Sequence, residues 1–118
     1  MDELVLPNAE FRLCCIVWNN EPLKSPRLAE LAAKELGWKK TTTYTVLRKL
    51  IDRGVLQNQD TIVSSVIKRE HVQKKQGENL LNRVFEGNLP SMFVSFLDGY
   101  KLKEGEAELL HQLIEKSR

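Results

Sequence analysis

A change in the spacing of apolar residues divides this sequence into two helical stretches with a short β segment between them. Before residue 53 and after residue 70, apolar residues recur every three or four positions, as on one face of an α-helix. Residues 61–67 are instead rich in Val, Ile and Thr, which favour strands. With a second short strand near residues 55–58, the order predicts three helices, a small hairpin and three more helices.

Residues typical of helix ends mark the boundaries in this order. The second predicted helix has Ser25 as its cap, Pro26 in its first position and Gly37 beyond its end. The third runs from about Lys40 to Arg53 and stops at Gly54. The three later helices are predicted to begin near residues 70, 88 and 103.

Three helices closed by a β-hairpin form the winged-helix variant of the helix-turn-helix. We therefore predict a mainly α-helical protein with a small β-hairpin, built from two domains. An N-terminal winged helix-turn-helix domain, residues 1–68, would bind DNA. A C-terminal region of three helices, residues 69–118, would make a dimer.

The dimer prediction rests on the apolar stripes of the last three helices, which are large for a solvent-exposed surface. These helices either fold back on the first domain or intertwine with a second copy of the chain. We favour the second copy, because a dimer engages two DNA half-sites together. The residues predicted to form the dimer contact are Leu80, Val84, Phe85, Leu89, Met92, Phe93, Phe96, Leu97, Leu109, Leu110 and Leu113.

Basic charge is concentrated in one part of the chain. The formal net charge of the whole sequence is only +2, but residues 39–76 hold nine basic and three acidic side chains, a net of +6. A local basic zone is typical of proteins that bind polyanions. The charge distribution therefore predicts double-stranded DNA as a partner.

The third predicted helix combines this charge with a polar face. At 100° per residue, Leu47 lies at the centre of its buried side and Thr45 and Arg48 lie opposite. Threonine can contact phosphates or base edges, arginine can bind guanine through two hydrogen bonds, and lysine suits phosphates. The predicted DNA-binding residues are Lys39, Lys40, Thr41, Thr42, Tyr44, Thr45, Arg48 and Lys49.

A second interpretation is a winged-helix module that binds a protein and never contacts DNA. Winged helices serve as adaptors as well as DNA readers, since a fold does not determine a function. The predicted hairpin supports this alternative, because residues 61–67 contain no Lys or Arg with which to contact phosphates.

Nothing in the sequence indicates catalysis, a metal or a cofactor. His71 and His111 are isolated, and the adjacent Cys14 and Cys15 have neither the geometry of an unstrained disulfide nor the further ligands of a zinc site. No apolar run approaches the roughly 18 to 20 residues of a membrane span, and the first residues do not resemble a secretion signal. We expect a cytoplasmic protein that is not an enzyme.

Four segments of the chain occur in the order and spacing of a known family. They are Asn8-Ala9-Glu10-Phe11 with Val17-Trp18, residues 45–50 with Gly54-Val55-Leu56, residues 82–87, and Ser91-Met92-Phe93 with Phe96-Leu97. Through these segments the chain resembles, from about residue 8 to residue 114, the penicillinase-repressor family of β-lactamase and methicillin-resistance repressors.

The resemblance implies a transcriptional repressor that binds a palindromic operator as a homodimer. It also implies an antibiotic-linked inducing signal, in which a membrane sensor-protease system leads to cleavage of the repressor between Ser95 and Phe96. The sequence differs from the family pattern in three respects. The family usually has Asn at position 95, its hairpin is longer and more basic, and related copper-responsive repressors have a C-terminal cysteine cluster that is absent here.

Overall fold

The structure is a computed structural model that describes residues 4–118. Within this range the chain forms six helices and three strands, and the mainly helical fold with a small hairpin is confirmed. The helices are α1 (Asn8–Asn20), α2 (Ser25–Leu36), α3 (Lys40–Asp52), α4 (Arg69–Phe85), α5 (Leu89–Leu97) and α6 (Glu106–Lys116). The strands are β1 (Leu23–Lys24), β2 (Leu56–Gln59) and β3 (Ile62–Ser65).

The start of α2 lies one residue earlier than predicted, and its end agrees with the prediction. Pro26 is the second helical residue instead of the first, and Gly37 adopts the left-handed conformation, φ 71°, that ends the helix. The predicted cap Ser25 is wrong, because Ser25 is already helical and Lys24 holds the cap position. The Ser25 backbone N–H donates to the Thr61 carbonyl oxygen at 2.8 Å, so contact with the hairpin determines how α2 begins.

The three strands form one antiparallel sheet in the order β1-β3-β2. The predicted hairpin is β2 and β3, joined at Asp60 and Thr61, which both have positive φ (53° and 67°). The unpredicted strand β1 adds to the other edge of β3, where Leu23 pairs with Val63. A strand of two residues shows no alternating pattern, so the sequence could not reveal it.

The core of the winged helix-turn-helix lies between α1, α2, α3 and the sheet. Trp18 and Trp38 pack at the edge of this core, as predicted, and the first turns of α4 add Val72 to it. The apolar residues with an exposed fraction below 2% are Leu13, Cys14, Val17, Leu28, Ala32, Leu50, Val55, Leu56, Val63 and Val72. Burial of each large apolar side chain contributes about 1.5–3 kcal/mol to folding.

The chain divides into two compact units, one that ends at Leu80 and one from Leu81 to Arg118. The domain boundary predicted between residues 68 and 69 lies earlier than this division, which falls inside α4. The start of α4 packs with the first unit, since Val72 is fully buried and the Gln76 Oε1 atom accepts from the Leu6 N–H at 3.3 Å.

Candidate nucleic-acid interface

Helix α3 is held in the first unit by one apolar side. Val46, Leu47 and Leu50 are buried, and Leu50 has no exposed surface. Thr43 is also fully buried, and its hydroxyl donates to the Lys39 carbonyl oxygen at 3.4 Å, so this threonine belongs to the core. The helix therefore has a defined rotation, with the side opposite Leu47 facing solvent.

The predicted DNA-binding residues lie together on this outer side. Tyr44 is half-buried at the edge of the face, and the other members are exposed. The exposed members are Lys39, Lys40, Thr41, Thr42, Thr45, Arg48 and Lys49. The geometry thus leaves a surface of hydroxyls, ammonium groups and one guanidinium open on a single helix, which is the chemistry that contacts phosphates and base edges.

Contacts within the face restrict two of its side chains. The Thr45 hydroxyl donates to the Thr41 carbonyl oxygen at 2.9 Å, so toward a ligand it offers lone pairs and a methyl group. The Arg48 Nε atom lies 3.6 Å from the Asp52 Oδ1 atom, but the two side chains are 80% and 69% exposed. Such an exposed pair contributes roughly 0–1 kcal/mol, so Arg48 can exchange Asp52 for a ligand.

Arg53, a basic residue of segment 39–76, forms an ion pair away from the exposed face of α3. The Arg53 Nε atom donates to the Glu10 Oε1 atom at 3.0 Å, and the Glu10 side chain is only 5% exposed. This ion pair ties the end of α3 to α1. Arg53 therefore neutralises an internal carboxylate and adds little to the charge that the α3 face presents.

Lys24 is a candidate that the sequence analysis did not identify. It is exposed on β1 and pairs with Ile62 of the hairpin, so it brings a positive charge to a sheet whose hairpin strands have none. The only signal in the sequence was its position directly before α2. Near the tip of the hairpin, the exposed side chains include Asn58, Gln59, Asp60 and Thr61, which are two amides, one carboxylate and one hydroxyl.

The second unit has a different kind of surface. Helices α5 and α6 have no buried residue, although both are strongly amphipathic. The predicted dimer residues Leu80, Phe85 and Met92 are half-buried, and the other members are exposed in the single chain. The exposed fractions are 51% for Val84, 46% for Leu89, 40% for Phe93, 51% for Phe96, 44% for Leu97, 57% for Leu109, 37% for Leu110 and 49% for Leu113.

The predicted cleavage bond lies on α5 of this unit. Ser95 and Phe96 are both exposed, and both are helical. The Phe96 ring packs edge-on against Phe85, with 5.9 Å between ring centroids. The helix begins with a regular cap, because the Asn88 side chain accepts from the Ser91 N–H at 2.9 Å.

The Cys14 thiol is buried and is not activated as a nucleophile. Burial, with smaller contributions from Cys15 and Glu10, raises the pKa of the Cys14 thiol to about 12, so this thiol stays protonated at neutral pH. His71 and His111 are exposed, as predicted. Residues 4–118 contain no cluster of three or more His, Cys, Asp or Glu side chains arranged to hold a metal.

None of the helices described is both long and apolar enough to cross a membrane.

Comparison with known proteins agrees with this arrangement. A family model described as penicillinase repressor matches residues 6–116. The penicillinase repressor of Bacillus licheniformis is 23% identical over 118 aligned residues, which cover 96% of this chain and 91% of that protein. The methicillin resistance regulatory protein MecI of Mammaliicoccus sciuri, like that of Staphylococcus aureus strain N315, is 21% identical over 94% of both chains. The chain belongs to the penicillinase repressor family, whose members are transcriptional repressors and not enzymes.

Proposed function

We propose that the protein represses transcription by binding a palindromic DNA operator as a homodimer, with one α3 face in each half-site. The observation that carries the proposal is the exposed face of α3, where Thr41, Thr42 and Arg48 stand free of the core. A helix presented in this way fits the major groove, in which arginine reads guanine and threonine contacts the thymine methyl group.

A homodimer is supported by the surface of the second unit. Among the predicted dimer residues of α5 and α6, Met92 is half-buried and the others are exposed in the single chain, from Leu110 at 37% to Leu109 at 57%. Apolar patches of this kind on a soluble protein mark interaction surfaces. A second copy would cover them with the same residues, as in an isologous two-fold interface, and would match the symmetry of a palindrome.

The experiment that tests operator binding compares Arg48→Ala with Arg118→Ala by fluorescence anisotropy on the palindrome upstream of the gene. Both arginines are exposed and pair with a carboxylate three or four positions earlier or later in the chain, but Arg118 lies after α6 in the second unit, 3.2 Å from Glu115. Arg48→Ala should weaken binding by about 1–3 kcal/mol and reduce discrimination at one base pair. Arg118→Ala should leave both unchanged.

The affinity of the wild type should also fall steeply with salt, because each neutralised phosphate releases counterions. No retardation of the upstream duplex even at low salt would contradict the proposal. Equal losses from Arg48→Ala and Arg118→Ala would contradict the role of the α3 face.

We further propose that the repressor is released by an antibiotic-linked signal, through cleavage between Ser95 and Phe96 after a membrane sensor-protease responds. Proteases bind extended substrates, so α5 must open first. Opening costs little in the single chain, because α5 is a helix of nine residues with no buried side chain. In the proposed dimer the second copy would cover the apolar side of α5 and raise this cost. Intact-mass spectrometry before and after exposure of the host to a β-lactam should show a new fragment that begins at Phe96. A chain that stays intact while the operator is vacated would contradict this route.

A second candidate function is an adaptor that binds protein only. It is favoured by the hairpin, which has no basic residue and has Asp60 at its exposed tip. Such an adaptor should bind neither heparin nor nonspecific DNA. Retention of the wild type on heparin, and loss of retention in a Lys39→Gln, Lys40→Gln, Lys49→Gln triple variant, would decide for the DNA-binding function.

A further inference from the structure

The start of α4 is attached to the end of α1 by a cluster that the DNA-binding face does not use. The Trp18 indole N–H donates to the Ile67 carbonyl oxygen at 3.1 Å. The Arg69 guanidinium lies over the same indole, 5.5 Å from its centroid, and its Nη2 atom donates to the Asn19 side-chain oxygen and to the Cys15 carbonyl oxygen. We call Trp18, Asn19 and Arg69 the α4 clamp.

A second group of contacts secures the segment just before the clamp. The Glu21 Oε1 atom accepts from the Ser65 N–H at 2.7 Å and from the Ser65 hydroxyl at 2.8 Å. The Lys68 Nζ atom lies 3.9 Å from the same carboxylate oxygen. The end of β3, the connection to α4 and the first residue of α4 are therefore all attached to the end of α1 or to Glu21, which follows it.

The composition of the clamp is not the one that stability alone would favour. Arg69 is half-buried, and its Nε atom is buried without a hydrogen-bond partner in the described part of the chain. Partial burial of a charge with an unsatisfied donor has a desolvation cost, and an apolar side chain at this position would avoid it. The guanidinium contacts do, however, tie the first residue of α4 to α1 in a directional way.

We propose that the α4 clamp is a positioning element for operator binding, a role that rests on the proposed function. Helix α4 runs unbroken from Arg69 in the first unit to Phe85 among the predicted dimer residues. A helix of its 17 residues is about 26 Å long, so a tilt of about 10° at its start moves its far end by roughly 4 Å. This displacement exceeds the rise of one DNA base pair, about 3.4 Å. In the proposed dimer, a loose start of α4 would therefore vary the spacing of the two α3 faces.

The clamp must be distinguished from a direct phosphate contact by Arg69. Trp18→Phe makes this distinction, because it removes the indole N–H that holds the Ile67 carbonyl and changes no charge. Arg69→Gln removes the stacking cation and its charge-assisted hydrogen bonds. Lys74→Gln is the matched control, since Lys74 is an exposed cation on the same helix, outside the clamp.

The experiment measures binding of the full-length variants to three duplexes: the palindrome, one half-site, and the palindrome with one base pair inserted at its centre. Trp18→Phe and Arg69→Gln should bind the palindrome about tenfold more weakly, because the second half-site is no longer held in register. Their affinity for the half-site should stay close to that of the wild type. In these two variants, the inserted base pair should reduce the affinity for the palindrome less than it does in the wild type. Lys74→Gln should leave the ratio of palindrome to half-site affinity unchanged.

Equal losses on the half-site and on the palindrome, or an undiminished sensitivity to the inserted base pair, would overturn the proposal. If Arg69→Gln fails to fold, Trp18→Phe decides alone, since it keeps an aromatic ring against Phe11 and Arg69. A wild type that binds no duplex would remove the proposed function itself. Hydrogen exchange then tests the clamp separately: the Val72 amide, which donates to the Lys68 carbonyl oxygen at 3.3 Å, should exchange faster in both clamp variants.

Discussion

The two compact units carry similar sequence patterns and yet differ in what they bury. In the first unit, the apolar sides of α1, α2 and α3 meet one another and the sheet, so Leu13 and Leu50 have no exposed surface. In the second unit, α5 and α6 are equally amphipathic, but Phe93 stays 40% and Leu113 49% exposed. An amphipathic pattern thus predicts that a helix needs an apolar partner, and it does not say whether the same chain supplies one.

This difference has an energetic meaning. The first unit buries its apolar side chains against one another. The second unit would gain its burial from surfaces outside it, which is the physical basis of the proposed dimer. Four predictions test this contrast, in order of expected effect.

The largest effect is expected from truncation of the first core. Leu50→Ala should lower the free energy of unfolding by about 2–5 kcal/mol, because Leu50 is fully buried and its loss leaves a cavity. Leu113→Ala, the matched control at a half-exposed leucine, should change the unfolding of the first unit little. Urea unfolding followed by tryptophan fluorescence measures this, since Trp18 and Trp38 both lie in the first unit. Equal losses of unfolding free energy in Leu50→Ala and Leu113→Ala would contradict the difference in burial between the two units.

A charge in the apolar surface of α5 should act on assembly instead of folding. Phe93→Asp should raise the dissociation constant of the proposed dimer by at least about a hundredfold, since it buries an unpaired carboxylate in the contact. Val94→Asp is the control, because Val94 is 72% exposed and lies off the side of α5 that Phe93 and Phe96 share. Sedimentation velocity over a range of concentrations measures both. A wild type that stays monomeric at micromolar concentration would contradict the dimer.

Burial in the first unit also predicts how stability depends on pH. Burial raises the pKa of Cys14 from its ordinary value of 9.0 to about 12. Below pH 9 the thiol is protonated in both the folded and the unfolded chain, so it does not change the free energy of unfolding. Above pH 9 the unfolded chain loses this proton first, so the free energy of unfolding falls. At pH 10.5 the loss should be about 2 kcal/mol. Urea unfolding at pH 7 and 10.5 should show this loss in the wild type, and a smaller one in Cys14→Ala. An identical loss in both proteins would show that Cys14 is not its source.

The smallest effect is expected at the hairpin turn. Thr61 has a φ of 67°, a conformation that a β-branched residue rarely adopts and glycine adopts freely. Thr61→Gly should therefore raise stability by roughly 0.5–1 kcal/mol, whereas Thr42→Gly on the exposed side of α3 should lower it by a similar amount. Thermal unfolding measures the two shifts. A loss of stability in Thr61→Gly would mean that the side chain contributes more than the strain costs.

The face of α3 was predictable from the sequence because it depends on local geometry. A helix advances 100° per residue, so the outward position of Thr42, Thr45 and Arg48 follows once Leu47 is assigned to the core. The left-handed Gly37 follows likewise from its residue type, whereas the positive φ of Thr61 in the hairpin turn does not. The role of Ser25 was mispredicted because its N–H bonds to Thr61, which is distant in sequence.

The sequence by itself determined the order of helices and hairpin, the rotation of α3 and the location of the basic segment, because each depends on residues a few positions apart. Only the tertiary structure decided that β1 joins the sheet, that Arg53 pairs with Glu10, that Lys24 lies beside the hairpin and that the first turns of α4 belong to the first unit. Each of these features depends on contacts between residues distant in the chain. Spacing and propensity act locally and carry no information about such contacts.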